Sequence, residues 1–188
     1  QLKAINDATS GTITLSGTTN YGTAYSGSAA DLAAALDGTF AAAYTGAVTL
    51  SDDPTLAQLK AINNATSGTI TLSGTNNYGS AYSGSAADLA AALDGTFAAA
   101  YTGAITITGT SAAAADLNAI NAATTGAVDT TNVTTISGDA SDVAAVYAAG
   151  AGEFTALGNE NVTLADDPTL AQLKAINDAT SGTITLSG

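Results

Sequence analysis

A chain of 188 residues with sixteen acidic side chains, three lysines and a net charge of −13 repels phosphate backbones and anionic headgroups. Nucleic-acid partners and electrostatic membrane binding are therefore disfavoured. Cys, Met, His and Trp are all absent, which excludes disulfides, thiol nucleophiles, imidazole bases and soft metal ligands, and no apolar run reaches the roughly 18 residues that a membrane-spanning helix needs.

The string QLKAIN begins at Gln1, Gln58 and Gln172, a spacing of 57 residues and then of twice 57. A fixed period of this size marks an array in which each unit buries its apolar face against its neighbours. The chain reads as a single continuous array: a partial period over 1–51, a full one over 52–109, a divergent one over 110–166 and a partial one over 167–188. Positions 1–46 and 58–103 differ only at Asp7/Asn64, Thr19/Asn76 and Thr23/Ser80, which points to recent duplication. Both ends fall inside a period, so the expectation is a window of a longer protein.

Each period divides into two half units of about 28 residues, the length of a helix and a strand in sequence. In the first type, Asp53 as N-cap and Pro54 at N1 predict a helix over about 54–66, with Leu56, Leu59 and Ile62 on one face and Gly68 beyond its end. Ile70 and Leu72 then alternate with threonines, as in a half-buried strand. In the second type, Ser85-Ala-Ala-Asp88 is a variant capping box for a helix over about 86–94, stopped at Gly95, with a further turn over 97–101 and a strand over 104–107. The stretch 28–50 repeats this pattern. In the divergent period, helices are expected near 112–123 and 140–148 and strands near 133–136 and 161–164, with 132–136 preferred to 127–129. Successive parallel strands joined through helices give a right-handed α/β solenoid with one parallel sheet.

Candidate sites are few. Asp52, Asp53, Asp166, Asp167, Asp139 and Asp142 supply the oxygen ligands that calcium takes, and also suit helix caps. Tyr21, Tyr25, Tyr78 and Tyr82 fall in the expected loops TTNYGTAYSG and TNNYGSAYSG, where they offer a binding surface for a glycan or a neighbouring filament, or simply pack the loop. Strand threonines such as Thr49, Thr71, Thr106 and Thr163 would form ladders like those of ice-binding solenoids, although β-propensity explains them equally. Nothing interrupts the repetition to build a catalytic cleft, and no enzyme activity, catalytic residue or cofactor beyond calcium is expected.

The strings SGSAADLAAAL, YTGAVTLSDDPTLAQLKAIN and ATSGTITLSG resemble the tandem repeats of giant secreted surface proteins of Gram-negative bacteria, marine cyanobacteria in particular. That resemblance implies type I export, display at the cell surface and, often, calcium. The expected function is a structural extracellular fibre or stalk whose partners are adjacent repeats or other copies of itself. The alternatives are an adhesin arm that binds a glycan or surface, an ice-binding solenoid and a repeat-built polysaccharide-active enzyme.

Overall fold

The structure is a computed structural model that describes residues 1–17 and 19–187, with Ala151 by its backbone alone. Thr18, at the start of the first expected loop, and Gly188, just past the last expected strand, lie outside the described residues. The protein is α/β, with seven helices and eleven short strands among the described residues. Its residues fall into two compact units, Gln1–Ser80 with Ala91–Tyr101, and Ala81–Ala90 with Thr102–Gly188.

In the first unit, helices α1 (Leu2–Ala8), α2 (Ala29–Leu36) and α3 (Leu56–Ala65) pack in sequence order. Strands β1 (Tyr25–Gly27), β2 (Val48–Leu50) and β3 (Ile70–Leu72) form a parallel sheet in that order, with Tyr25, Val48 and Ile70 in register. The strands are short because each needs only two inward side chains. Val48, Leu50, Ile70 and Leu72 are buried, and Thr49 and Thr71 between them are half-buried. Single parallel bridges join Ile13 to Phe40, Tyr44 to Thr66 and Ile70 to Phe97.

The second unit holds two parallel sheets. One runs β4 (Tyr82–Gly84), β5 (Ile105–Ile107), β7 (Val128–Asp129), β9 (Phe154–Thr155). The other runs β6 (Ser111–Ala113), β8 (Thr135–Gly138), β10 (Asn161–Leu164), β11 (Ile184–Leu186). Helices α5 (Ala114–Ala123), α6 (Ala140–Ala149) and α7 (Leu170–Ala179) pack in order, and α4 (Ala86–Leu93) follows β4 in sequence. Leu117, Ile120, Val128, Ile136, Val143, Val146, Phe154 and Leu164 are fully buried.

Several expectations are corrected. Among the described residues there are three parallel sheets where one was expected. The tyrosine loops contain β1 and β4, whose register is set by main-chain bonds from Tyr25 N–H to Ala47 O at 3.0 Å and from Tyr82 N–H to Ala104 O at 3.1 Å. Tyr-Ser-Gly shows no apolar alternation, so the pattern of side chains does not announce them. Both 128–129 and 135–138 are strands, because each joins a different sheet, and residues 112 and 113 lie in β6, so α5 starts at Ala114. No helical turn follows Gly95; Phe97 instead extends the main chain alongside Ile70. Helix α3 starts at Leu56 because Thr55 and Gln58 make a reciprocal capping box, Gln58 N–H to the Thr55 hydroxyl at 3.3 Å and Thr55 N–H to Gln58 Oε1 at 2.9 Å. Asp53 is thereby released from capping this helix.

One glycine position recurs for a steric reason. A Cβ on Gly68, Gly126 or Gly182 would lie under 3.0 Å from a backbone carbonyl, that of Gly46, Gly103 and Glu160 respectively. Beside each glycine a threonine hydroxyl donates to the same carbonyl: Thr66 to Gly46 O at 2.7 Å, Thr124 to Gly103 O at 3.3 Å and Thr180 to Glu160 O at 2.7 Å. Ala-Thr-Ser-Gly, and Ala-Thr-Thr-Gly in the divergent period, thus code for close main-chain approach.

Candidate functional site

The six aspartates separate by role. Asp52 Oδ1 accepts from Ala29 N–H at 2.6 Å and Asp166 Oδ1 accepts from Ala140 N–H at 2.7 Å, so each carboxylate caps the first residue of a helix that precedes it in the chain. This satisfies an orphan donor and places negative charge at the positive end of the helix dipole. Asp53 accepts from the Asn76 N–H at 3.0 and 3.1 Å and from Asn76 Nδ2 at 2.8 Å. Asp139 is the N-cap of α6 without a side-chain capping bond, Asp142 lies in the first turn of the same helix, and Asp167 is exposed. Among the described residues, no group of three or more acidic side chains gathers where it could hold a metal ion.

The four tyrosines are engaged in packing. Tyr21 and Tyr78 each accept a main-chain N–H at their hydroxyl, from Leu15 at 3.3 Å and from Leu72 at 3.1 Å. Their rings stand edge-on to Phe40 and Phe97, with centroids 6.4 and 6.5 Å apart. Tyr25 stacks on Tyr44 at 5.7 Å, and Tyr82 is buried. The threonines form short columns interrupted by other residues, such as Ser26–Thr49–Thr71 and Ser83–Thr106–Asp129–Thr155. Within the second, hydrogen bonds from the Thr131 side chain and backbone hold the Asp129 carboxyl below its usual range.

The feature that sequence reasoning missed lies in the divergent period. Aligned on Phe97 and Phe154, the regular pair Tyr101 and Gly103 becomes Gly158 and Glu160. Aligned on the caps Ser85 and Asp139, the helical residue Leu93 becomes Tyr147. A tyrosine has therefore moved from the strand side to the helix. In the regular period Tyr44 and Tyr101, both buried, donate to the main-chain carbonyls of Thr23 and Ser80. In the divergent period the Tyr147 hydroxyl donates to Glu160 Oε2 at 3.2 Å, which also accepts from Gly158 N–H at 2.9 Å.

Glu160 is fully buried, and its other oxygen, Oε1, has no hydrogen-bond partner. An unpaired buried carboxylate oxygen is costly, since it forfeits hydration without a replacement. Burial, and then the nearby Glu160 carboxylate, push the Tyr147 hydroxyl up to about 12 against an opposing contribution from the Thr180 hydroxyl. Tyr147 also lines a cavity of about 210 Å³, together with Gly150, Phe154, Ala156, Leu157 and Ala179. Two of its lining residues, Gly150 and Ala156, have φ of 66° and 67°. A non-glycine residue at positive φ marks a spot where the surroundings override local preference. The side chains that line the cavity are apolar apart from Tyr147, which suits a small apolar molecule. In the sequence the signal was the loss of Tyr and Gly at 158 and 160 from an otherwise faithful register.

No helix among the described residues is long and apolar enough to cross a membrane. Comparison with protein families, with curated proteins and with solved structures finds no match to this chain.

Proposed function

We propose that the chain is a structural module whose half units wind as a right-handed α/β solenoid and stack into an extracellular fibre or stalk at a cell surface. The observation that carries this reading is the recurring contact at Ala-Thr-Ser-Gly. The same threonine and glycine meet the preceding carbonyl at Gly46, Gly103 and Glu160, which is how units of an array use one interface many times. A compact enzyme has no reason to reuse one contact in this way, and the chain is not read as catalytic. Electron microscopy of the native material tests it: rods or filaments with an axial spacing set by the 57-residue period are expected. A population of monodisperse globules would overturn it. Calcium is retained as a stabilising ion of such a surface array. Unchanged melting temperature on EDTA treatment would remove it and leave the aspartates as caps.

A second reading, a binding arm, is favoured by one observation, the cavity lined by Tyr147, Phe154 and Leu157 in the period that departs from the rest. Its ligand class is a small apolar molecule. A thermal-shift screen with such compounds on the intact chain and on Tyr147→Phe tests it. Stabilisation that weakens in the variant supports binding, and no stabilisation by any compound discards it.

A further inference from the structure

In both regular copies the phenylalanine that follows the helix of the second half unit is met by a tyrosine ring. Tyr21 stands edge-on to Phe40 with centroids 6.4 Å apart, and Tyr78 to Phe97 at 6.5 Å. Phe154 is their counterpart in the divergent period, and its tyrosine is gone. Aligned on the caps Ser85 and Asp139, Tyr78 becomes Asn132, whose amide donates to Ile107 O at 3.2 Å instead. Among the described residues Phe154 meets no other ring. The chain around it is also rebuilt, since Tyr147 and Phe154 are seven positions apart where Leu93 and Phe97 are four. Ala156 takes a φ of 67°, whereas its counterparts Ala42 and Ala99 do not stand at positive φ. Such strain persists only where the surroundings impose it, and it gathers at ligand sites.

Tyr147, Phe154 and Ala156 all line the cavity of about 210 Å³, and every lining residue lies within 147–179, inside one compact unit. An apolar cavity of about 150 Å³ takes one benzene ring. The volume here therefore suits a single ring with a short substituent. The Tyr147 hydroxyl already gives its proton to Glu160 Oε2 at 3.2 Å, so this side chain asks for no polar anchor on the ligand. A ring set against Phe154 restores the pairing that Tyr21 and Tyr78 supply in the regular copies. The quadrupoles of two rings favour such edge-on or offset contact beyond what burial of the same area gives. We propose that the cavity binds a free small molecule built on one aromatic ring, with Phe154 as the residue that selects that ring over a saturated one of equal size. The proposal rests on the binding-arm reading above and narrows its ligand class from apolar to aromatic.

The test titrates toluene and methylcyclohexane, which are nearly equal in size, in sealed cells into the intact chain, Phe154→Leu and Ala179→Leu, with folding checked by circular dichroism. Saturable toluene binding is expected, and Ala179→Leu should abolish it by filling the cavity. In Phe154→Leu the ratio of the two dissociation constants should shift about three- to tenfold towards methylcyclohexane. Nuclear Overhauser effects between toluene and the Phe154 ring are expected in the unaltered chain, and they decide the matter if Phe154→Leu does not fold. Saturable binding of both compounds with an unshifted ratio, or without an Overhauser contact to Phe154, would overturn the aromatic assignment and leave the binding arm standing. Toluene binding that survives Ala179→Leu would place the ligand elsewhere and overturn the proposal. No saturable binding of either compound would overturn it together with the binding-arm reading.

Discussion

The regular and divergent periods fill the same space in two ways. In the regular period a buried tyrosine, Tyr44 or Tyr101, lies beside a glycine, Gly46 or Gly103, and gives its proton to a main-chain carbonyl. In the divergent period the tyrosine comes from the helix as Tyr147, glycine takes the old tyrosine position at 158, and Glu160 takes the glycine position. The first solution uses an acceptor that cannot titrate and leaves no oxygen over. The second brings in a carboxylate with one oxygen unmatched, and its tyrosine lines a cavity. A period can evidently keep its framework contact, as Thr180 keeps its bond to the carbonyl of residue 160, while its side chains are rebuilt as a pocket.

The largest effect should come from forcing one solution on the other. A Cβ at Gly46 would fall under 3.0 Å from Thr23 O and the Tyr44 ring, so Gly46→Glu, with Tyr44 kept, is expected to cost about 3 kcal/mol through overpacking. Urea unfolding measures it, and a midpoint equal to that of the unaltered chain would show that the two solutions are not exclusive. Next comes Tyr147→Phe, which leaves the buried Glu160 carboxylate with one donor fewer; a loss of about 2 kcal/mol is expected in the same assay. Tyr101→Phe strips only a neutral carbonyl of its donor and should cost about 1 kcal/mol. An equal loss from the two phenylalanine variants would erase the distinction between carboxylate and carbonyl acceptors.

A separate effect is expected in alkaline solution. Tyr44 is pushed up to about 12, mainly by burial, and Tyr147 to about 12 for the same reason first. An unfolded tyrosine loses its proton near the ordinary value of about 10, so between these values the unfolded chain binds fewer protons than the folded one. The associated stability is complete below pH 10 and is lost as pH rises towards 12. Thermal melts between these limits should show the decline, and the double variant Tyr44→Phe, Tyr147→Phe should flatten it.

Much of the framework was legible because it is carried by side-chain period. Leu59 and Ile62 on α3, Ile70 and Leu72 on β3, and the Ser85 cap of α4 were all placed from spacing alone, and the first four are buried. What escaped was carried by the main chain. Tyr25–Gly27 and Phe97 pair through N–H and C=O groups that every residue possesses, so nothing in their side chains marks them as strand or bridge. The aspartates show a different limit. A carboxylate that caps a helix and one that binds calcium need the same oxygen in the same exposed turn, and only the partner, here Ala29 N–H or Ala140 N–H, tells them apart. Glu160 breaks the register of the repeat, but its side-chain partner Tyr147 reaches it from a neighbouring element, which spacing alone does not reveal.

The caps supplied by Asp52 and Asp166 set an order in time. Helix α2 begins at Ala29, but the carboxylate that finishes its first turn lies 23 residues further along, at Asp52, and α6 waits 26 residues for Asp166. On a ribosome or in a secretion channel that releases the amino terminus first, the Ala29 and Ala140 N–H groups therefore wait for their acceptors until the next half unit has emerged. These two helix ends are completed behind the growing point, one step late, so that at α2 and α6 the most recently released stretch is the less protected from proteases and from neighbouring chains.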